Sequence, residues 1–105
     1  MEPHAPITLE EVQQAQLRIK DATIRTPLVR LNVDDPDREI YLKLENLQPI
    51  GSFKLRGAIN AMRAADPDTL KAGVWTASAG NMAQGVAWGA RKSRFGVTLR
   101  FSLGL

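Results

Sequence analysis

The chain of 105 residues is 44% hydrophobic and 24% charged, with a formal net charge of +3, the balance of an ordinary soluble globular protein. It has no cysteine and one histidine, His4, which excludes disulfides, thiolate metal sites and a protein-only zinc centre. No apolar run reaches the roughly 20 residues that cross a bilayer, and the start MEPHAP has no apolar signal stretch, so the expectation is a cytoplasmic protein with no membrane partner.

The elements follow in chain order. Thr8-Leu9-Glu10-Glu11 is a capping box, and Val12, Ala15, Gln16 and Ile19 recur at helical spacing, predicting a surface helix over 9–21. Thr26-Pro27 breaks it, and Leu28, Val29 and Leu31 read as a short extended piece. After the turn Asp34-Asp35-Pro36-Asp37, residues 39–45 alternate: Ile40, Leu42 and Leu44 on one side, Tyr41, Lys43 and Glu45 on the other. That pattern predicts a half-buried strand.

The loop 46–51 leads to Ser52, read as the N-cap of a helix whose apolar stripe is Leu55, Ala58, Ile59 and Met62. Asp66-Pro67-Asp68 ends that helix. Val74-Trp75-Thr76-Ala77 reads as a short buried strand. The small-residue turn Ser78-Ala79-Gly80-Asn81 follows, then a helix from about Met82 to Lys92, and 96–102 forms a further strand. Strands and helices alternating from Glu39 onward predict an α/β fold with a mainly parallel sheet.

Charge is spread unevenly. Lys71, Arg91, Lys92, Arg94 and Arg100 lie in the last 35 residues with no acid among them, while the first 70 hold nine basic and eleven acidic residues. A basic tail is one feature of nucleic-acid binders. The other reading is electrostatic: Arg91, Lys92 and Arg94 stand where a helix C-terminus favours cations. With no aromatic-interleaved basic motif, no nucleic-acid partner is expected.

In open α/β sheets ligands sit beyond the carboxyl ends of strands, where loops enter helix N-termini. Two polar loops here qualify, one ending in Ser52-Phe53-Lys54 and one spelled Ser78-Ala79-Gly80-Asn81. Lys54 places an amine where the helix dipole disfavours a cation. The same potential favours the neutral amine, the form that attacks a carbonyl. A Schiff-base lysine and a snorkelling surface lysine both fit this spacing, as a binding loop and a structural turn both fit Ser78 and Gly80.

The residues themselves carry more. The segment Glu45-Asn46-Leu47-Gln48-Pro49-Ile50-Gly51-Ser52-Phe53-Lys54-Leu55-Arg56-Gly57-Ala58 closely resembles the cofactor-lysine segment of fold-type II pyridoxal-phosphate enzymes. Ser78-Ala79-Gly80-Asn81-Met82-Ala83-Gln84-Gly85-Val86-Ala87 resembles the second signature of the threonine dehydratase and serine racemase branch, and Thr26-Pro27-Leu28 a weaker third landmark. The resemblance covers roughly residues 8–92.

It implies the N-terminal portion of a two-domain, mainly parallel-sheet fold of the tryptophan synthase beta type. Residues 1–72 would begin the large cofactor domain, and 73–105 the first strand-helix-strand of the small one. It further implies that Lys54 holds pyridoxal 5'-phosphate as a Schiff base and moves the substrate's Cα proton, with Phe53 against the cofactor ring. Asn81 would bond the ring's phenolic oxygen. Ser52, Ser78, Ala79, Gly80 and Asn81 would receive a small amino-acid substrate, threonine or serine, within a homo-oligomeric parent. No metal site among these residues is implied.

The Lys-Leu-Arg-Gly-Ala continuation favours dehydratases over cysteine synthase relatives, where an acidic residue typically follows the lysine. Racemases of the branch usually carry serine at the place of Ala79 as a second acid–base group. The implied reaction is therefore α,β-elimination from a hydroxy amino acid, giving a 2-oxo acid and ammonia. Met82 departs from the family's usual histidine, and a thioether neither titrates nor donates a hydrogen bond. The family's glycine-rich phosphate loop lies downstream of the matched region. An isolated 105-residue fragment is expected to be inactive and poorly folded, exposing Leu55, Ile59, Met62, Val86 and Trp88. A non-catalytic interaction or regulatory fragment, or a related lyase or racemase, is the alternative.

Overall fold

The computed structural model describes residues 3–94 and 96–100. The first helix, α1 (Leu9–Ile19), starts where its capping box dictates. Thr8 Oγ1 accepts from the Glu11 amide at 3.2 Å, and the Glu11 carboxylate accepts the Thr8 amide at 2.7 Å. The Thr8 amide, and the Thr8 hydroxyl donating to the same carboxylate at 3.0 Å, hold the Glu11 carboxyl below its ordinary range. Of the helix residues only Ile19 is buried, so α1 is a surface helix as its sequence pattern predicts.

Strand β1 (Leu28–Arg30) pairs antiparallel with β2 (Tyr41–Lys43), Val29 opposite Leu42. The half-buried strand expected over 39–45 is a correction. It is three residues long and exposed on both sides, with Leu42 39% accessible. The alternating pattern is present in the side chains, but β1 is its only hydrogen-bonded neighbour among the described residues. Among the described residues no layer packs on its apolar face, so Ile40 and Leu42 face solvent, as Tyr41 does on the other side.

A 3-10 turn (Glu45–Leu47) and the loop after it lead to α2 (Lys54–Ala64). Ser52 is not the cap: Phe53 occupies that position, and no side chain accepts a capping bond there. The apolar stripe behaves as its spacing predicts, since Leu55, Ala58, Ile59 and Met62 are all buried. Leu55 and Ile59 join Ile19 and Ala22 in one cluster, covered by Ile50 and Trp88; Ala58, Met62 and Ala90 form a second. The expectation that Leu55, Ile59 and Met62 would be left exposed is therefore overturned. Helices α1 and α4 cover that face, and the exposed apolar side chains are others, including Leu28, Val33, Phe53 and Trp75.

Asp66 caps the single-turn helix α3 (Pro67–Leu70), accepting from the Asp68 amide at 2.9 Å. Strand β3 (Val74–Ala77) then pairs in parallel with β4 (Val97–Arg100), Val74 opposite Val97. The helix between them is α4 (Asn81–Ser93). Parallel pairing is thus confined to this strand-helix-strand unit, and β1 with β2 adds an antiparallel ribbon. Trp75, expected inside, is 69% accessible because β3 alternates half-buried and exposed positions. The last two residues of the strand expected over 96–102 lie outside the described residues.

Helix α4 ends with Arg91 and Lys92 in its last turn and Arg94 as a left-handed C-cap at φ 59°. This placement supports the electrostatic reading of the basic cluster. The chain is spread out: its radius of gyration is 16.8 Å, against roughly 13 Å for a compact domain of this size. The core lies between α1, α2 and α4.

Candidate active site

Helices α2 and α4 are packed closely and run in the same direction. A Cβ on Gly85 would lie 3.1 Å from the Lys54 carbonyl oxygen and 3.4 Å from the Ala58 Cβ. One turn later, Gly89 faces Ile59 and Met62. Contacts that advance together along both helices mean parallel axes, so both N-termini lie at one end of the pair. Gly85 suits this approach, because a side chain there would press on the Lys54 backbone, which would have to give by a few tenths of an ångström.

That shared end brings the two predicted loops to the same region. Lys54 is the first residue of α2 and half-buried. Its Nζ lies 4.8 Å from the Phe53 ring centroid, and the ring is 59% accessible. Asn81 is the first residue of α4 and exposed, as are Ala79, Gly80 and Met82. Ser78 works on its own turn: its Oγ accepts from the Gly80 amide at 3.2 Å and the Ala83 amide at 3.3 Å. This is a capping role in structure, and it takes one donor from the loop and one from the first turn of α4. The Asn81 and Met82 amides belong to the helix's first turn, which has no acceptor within the helix.

Ser52 is more informative than a cap. Its residue is 9% accessible, and its Oγ is buried without a hydrogen-bond partner. A buried hydroxyl left unpaired costs about 1–3 kcal/mol. A polar partner near Lys54 would remove that cost, so the amine, the open aromatic face of Phe53 and this hydroxyl fit a polar, ring-bearing carbonyl compound. No group of three or more His, Cys, Asp or Glu side chains that would hold a metal occurs among the described residues. The clefts along α1 and beside α3, of about 620 and 580 Å³, are lined by neither Lys54 nor Asn81.

Sequence reading missed the polar knot behind Lys54. The Glu45 carboxylate accepts from Arg56, from Thr26 Oγ1 at 2.5 Å and from Gln48 Nε2 at 3.2 Å. Gln48 also grips the backbone of Ile24, accepting its amide at 2.9 Å and donating to its carbonyl at 2.7 Å. Thr26 and Gln48 are each 3% accessible. The only early hint was that Glu45, Gln48 and Arg56 all fall inside the lysine segment.

The Arg56 guanidinium, with Thr26 and Gln48, holds the Glu45 carboxyl down at about 2 against the opposing effect of its burial. A folded-state value below the unfolded one near 4.5 gives stability that is complete above the unfolded value and lost as pH falls toward the folded one. Allowing for solvent screening at its accessible edge, about 1–2 kcal/mol is expected to disappear between pH 7 and pH 3. Urea midpoints across that range should fall more steeply for the unsubstituted protein than for Glu45→Gln. Parallel profiles would contradict this.

The family model described as "Pyridoxal-phosphate dependent enzyme" matches residues 19–101. L-threonine ammonia-lyase of Thermotoga maritima is 48% identical over 87 residues, 81% of this chain and 22% of that protein. Serine racemase of Dictyostelium discoideum is 39% identical over 93 residues, 87% of this chain and 29% of that protein. Among solved structures, maize serine racemase superposes with a TM-score of 0.81 at 31% identity, covering 91% of this chain and 31% of that one. The chain thus spans between about a fifth and a third of the length of the relatives it matches. No helix among the described residues is long and apolar enough to cross a membrane. The match over most of the chain, in sequence and in structure, places this chain in the fold-type II branch of the pyridoxal-phosphate-dependent enzyme family.

Proposed function

We propose that this chain is the N-terminal portion of a threonine or serine dehydratase that eliminates water from the hydroxy amino acid and releases a 2-oxo acid and ammonia. The observation that carries this reading is the Lys54 amine over the open Phe53 ring at the start of α2, on a helix whose backbone at Lys54 packs against Gly85 of α4. In this proposal residues 1–72 belong to the large domain and 73–105 to the small one. The assembly is cytoplasmic and homo-oligomeric, with threonine or serine as substrate.

When bound, pyridoxal phosphate supplies the electron sink for the reaction. Lys54 would hold it, Phe53 would offer a flat apolar face, Asn81 would present its amide to it, and the group would give the Ser52 hydroxyl a partner. Lys54 Nζ takes the substrate's Cα proton as general base. The Asn81 and Met82 amides, at the positive end of α4, suit a carboxylate. Ser78 keeps that turn in shape by accepting from Gly80 and Ala83.

Ala79 sets the outcome at Cα. A methyl group delivers no proton to the opposite face, so elimination proceeds without inversion. The protein carrying this chain is expected to form 2-oxobutyrate from threonine and pyruvate from serine. Chiral chromatography of the remaining serine should find almost only the L form. D-serine accumulating faster than pyruvate would refute the dehydratase reading, and Ala79→Ser should raise the D-serine yield.

A further inference from the structure

Lys54 follows a loop that has little regular structure to hold it. Residues 48–53 lie between the 3-10 turn and α2. Their one internal backbone bond runs from the Gly51 amide to the Gln48 carbonyl at 2.7 Å, and Gly51 then turns the chain onward at φ 75°. Yet an amine that must meet a carbonyl needs a set position, since misplacement by about 1 Å costs on the order of a hundredfold in rate.

Two side chains bracket the loop, Gln48 at its start and Arg56 in the first turn of α2. Both bond the same carboxylate, Glu45. Both also bond the Ile24 carbonyl, Gln48 at 2.7 Å and Arg56 at 3.1 Å. Thr26 adds its hydroxyl to Glu45 from the same segment. The loop is thereby tied at each end to one carboxylate and to one stretch of backbone. Arg56 uses Nε and Nη2 on the two Glu45 oxygens, a fork that fixes direction as well as distance.

We propose that Glu45 is a positioning residue for Lys54, holding the lysine loop at both ends through Arg56 and Gln48. The inference rests on Lys54 being the attachment point for pyridoxal phosphate. Glu45 touches no reacting atom in this scheme and acts through the geometry of its partners. An ionised carboxylate is the side chain suited to the place, because every neighbour that bonds it is a donor. In Glu45→Gln an amide NH2 replaces one acceptor and faces donors. In Arg56→Lys the charge remains and the fork is lost.

The test strips pyridoxal phosphate from the protein carrying this chain, adds it back, quenches with borohydride at intervals, and maps the pyridoxyl label by mass spectrometry. Circular dichroism fixes a temperature at which every variant compared is folded. The unsubstituted protein should label Lys54 faster than Lys20, Lys71 or Lys92. Glu45→Gln and Arg56→Lys should each slow Lys54 labelling about tenfold or more, leaving the other three unchanged. The double variant should be no slower than either single one, as expected for residues that act as a unit. Glu45→Asp, which keeps the acceptor oxygens, should recover part of the rate.

Lys54 labelled at an unchanged rate in folded Glu45→Gln and Arg56→Lys would overturn the positioning role while leaving Lys54 as the attachment point. Lys54 unlabelled in the unsubstituted protein would overturn that attachment, and the positioning role with it. Equal slowing at all lysines would also count against the proposal, because it would mark a general loss of structure.

Discussion

Replacement of Lys54 by alanine is expected to abolish the borohydride-stable pyridoxyl adduct at this position and to lower activity of the protein carrying this chain. The loss of general-base transfer alone is worth about 10²–10⁴-fold. Lys54 is the first residue of α2 and half-buried, with its amine near the Phe53 ring. The backbone around it is held by Gly85 of α4 and by Leu55, so truncating the side chain removes chemistry with little packing. Lys54→Arg should be equally inactive, since a guanidinium stays protonated and forms no imine under these conditions. Peptide mapping decides the matter, and an adduct on Lys43 or Lys71 in the unsubstituted protein would refute the assignment.

Leu55→Ala is expected to cost about 2–5 kcal/mol of stability, through lost burial and the cavity left behind. Leu55 is 0% accessible and packs in one cluster with Ile19, Ala22 and Ile59, under Ile50 and Trp88. This cluster joins α1, α2 and the loop before Lys54, so it cannot collapse around the gap without moving a helix. Leu28, at 63% accessible on the antiparallel ribbon, serves as the control, and Leu28→Ala should change stability by less than about 0.5 kcal/mol. Urea denaturation of the two variants separates the cases. Similar midpoints would mean that the core does not lie where the helices place it.

Adjacent residues thus do different work, and their legibility in the sequence differs for a physical reason. Leu55, Ala58, Ile59 and Met62 are spaced for one helix face, and that face is buried. The capping box at Thr8 and Glu11 was equally plain, because its bonds span three residues. The place of Lys54 at a helix N-terminus, and of Asn81 at another, also followed from local signals alone. Interactions within a turn or two depend mainly on neighbours in the chain, which is why a sequence reveals them.

Other features depended on partners distant in the chain. The alternation over 39–45 suggested a buried face, but among the described residues only β1 joins β2, and Ile40 and Leu42 are open to solvent. Ser52 had the composition of a cap, yet Phe53 takes that position and the Ser52 hydroxyl is left buried and unpaired. Glu45 looked like the polar side of a strand, whereas it gathers Thr26, Gln48 and Arg56 from across the fold. The sequence by itself determined helices α1, α2 and α4, the apolar face of α2 and the lysine at a helix start. Only the tertiary structure decided which faces were covered, which loop ends shared a carboxylate, and that Gly85 lets α4 approach the backbone of Lys54. Burial and long-range hydrogen bonds depend on what arrives from elsewhere in the chain, and local pattern carries no record of it.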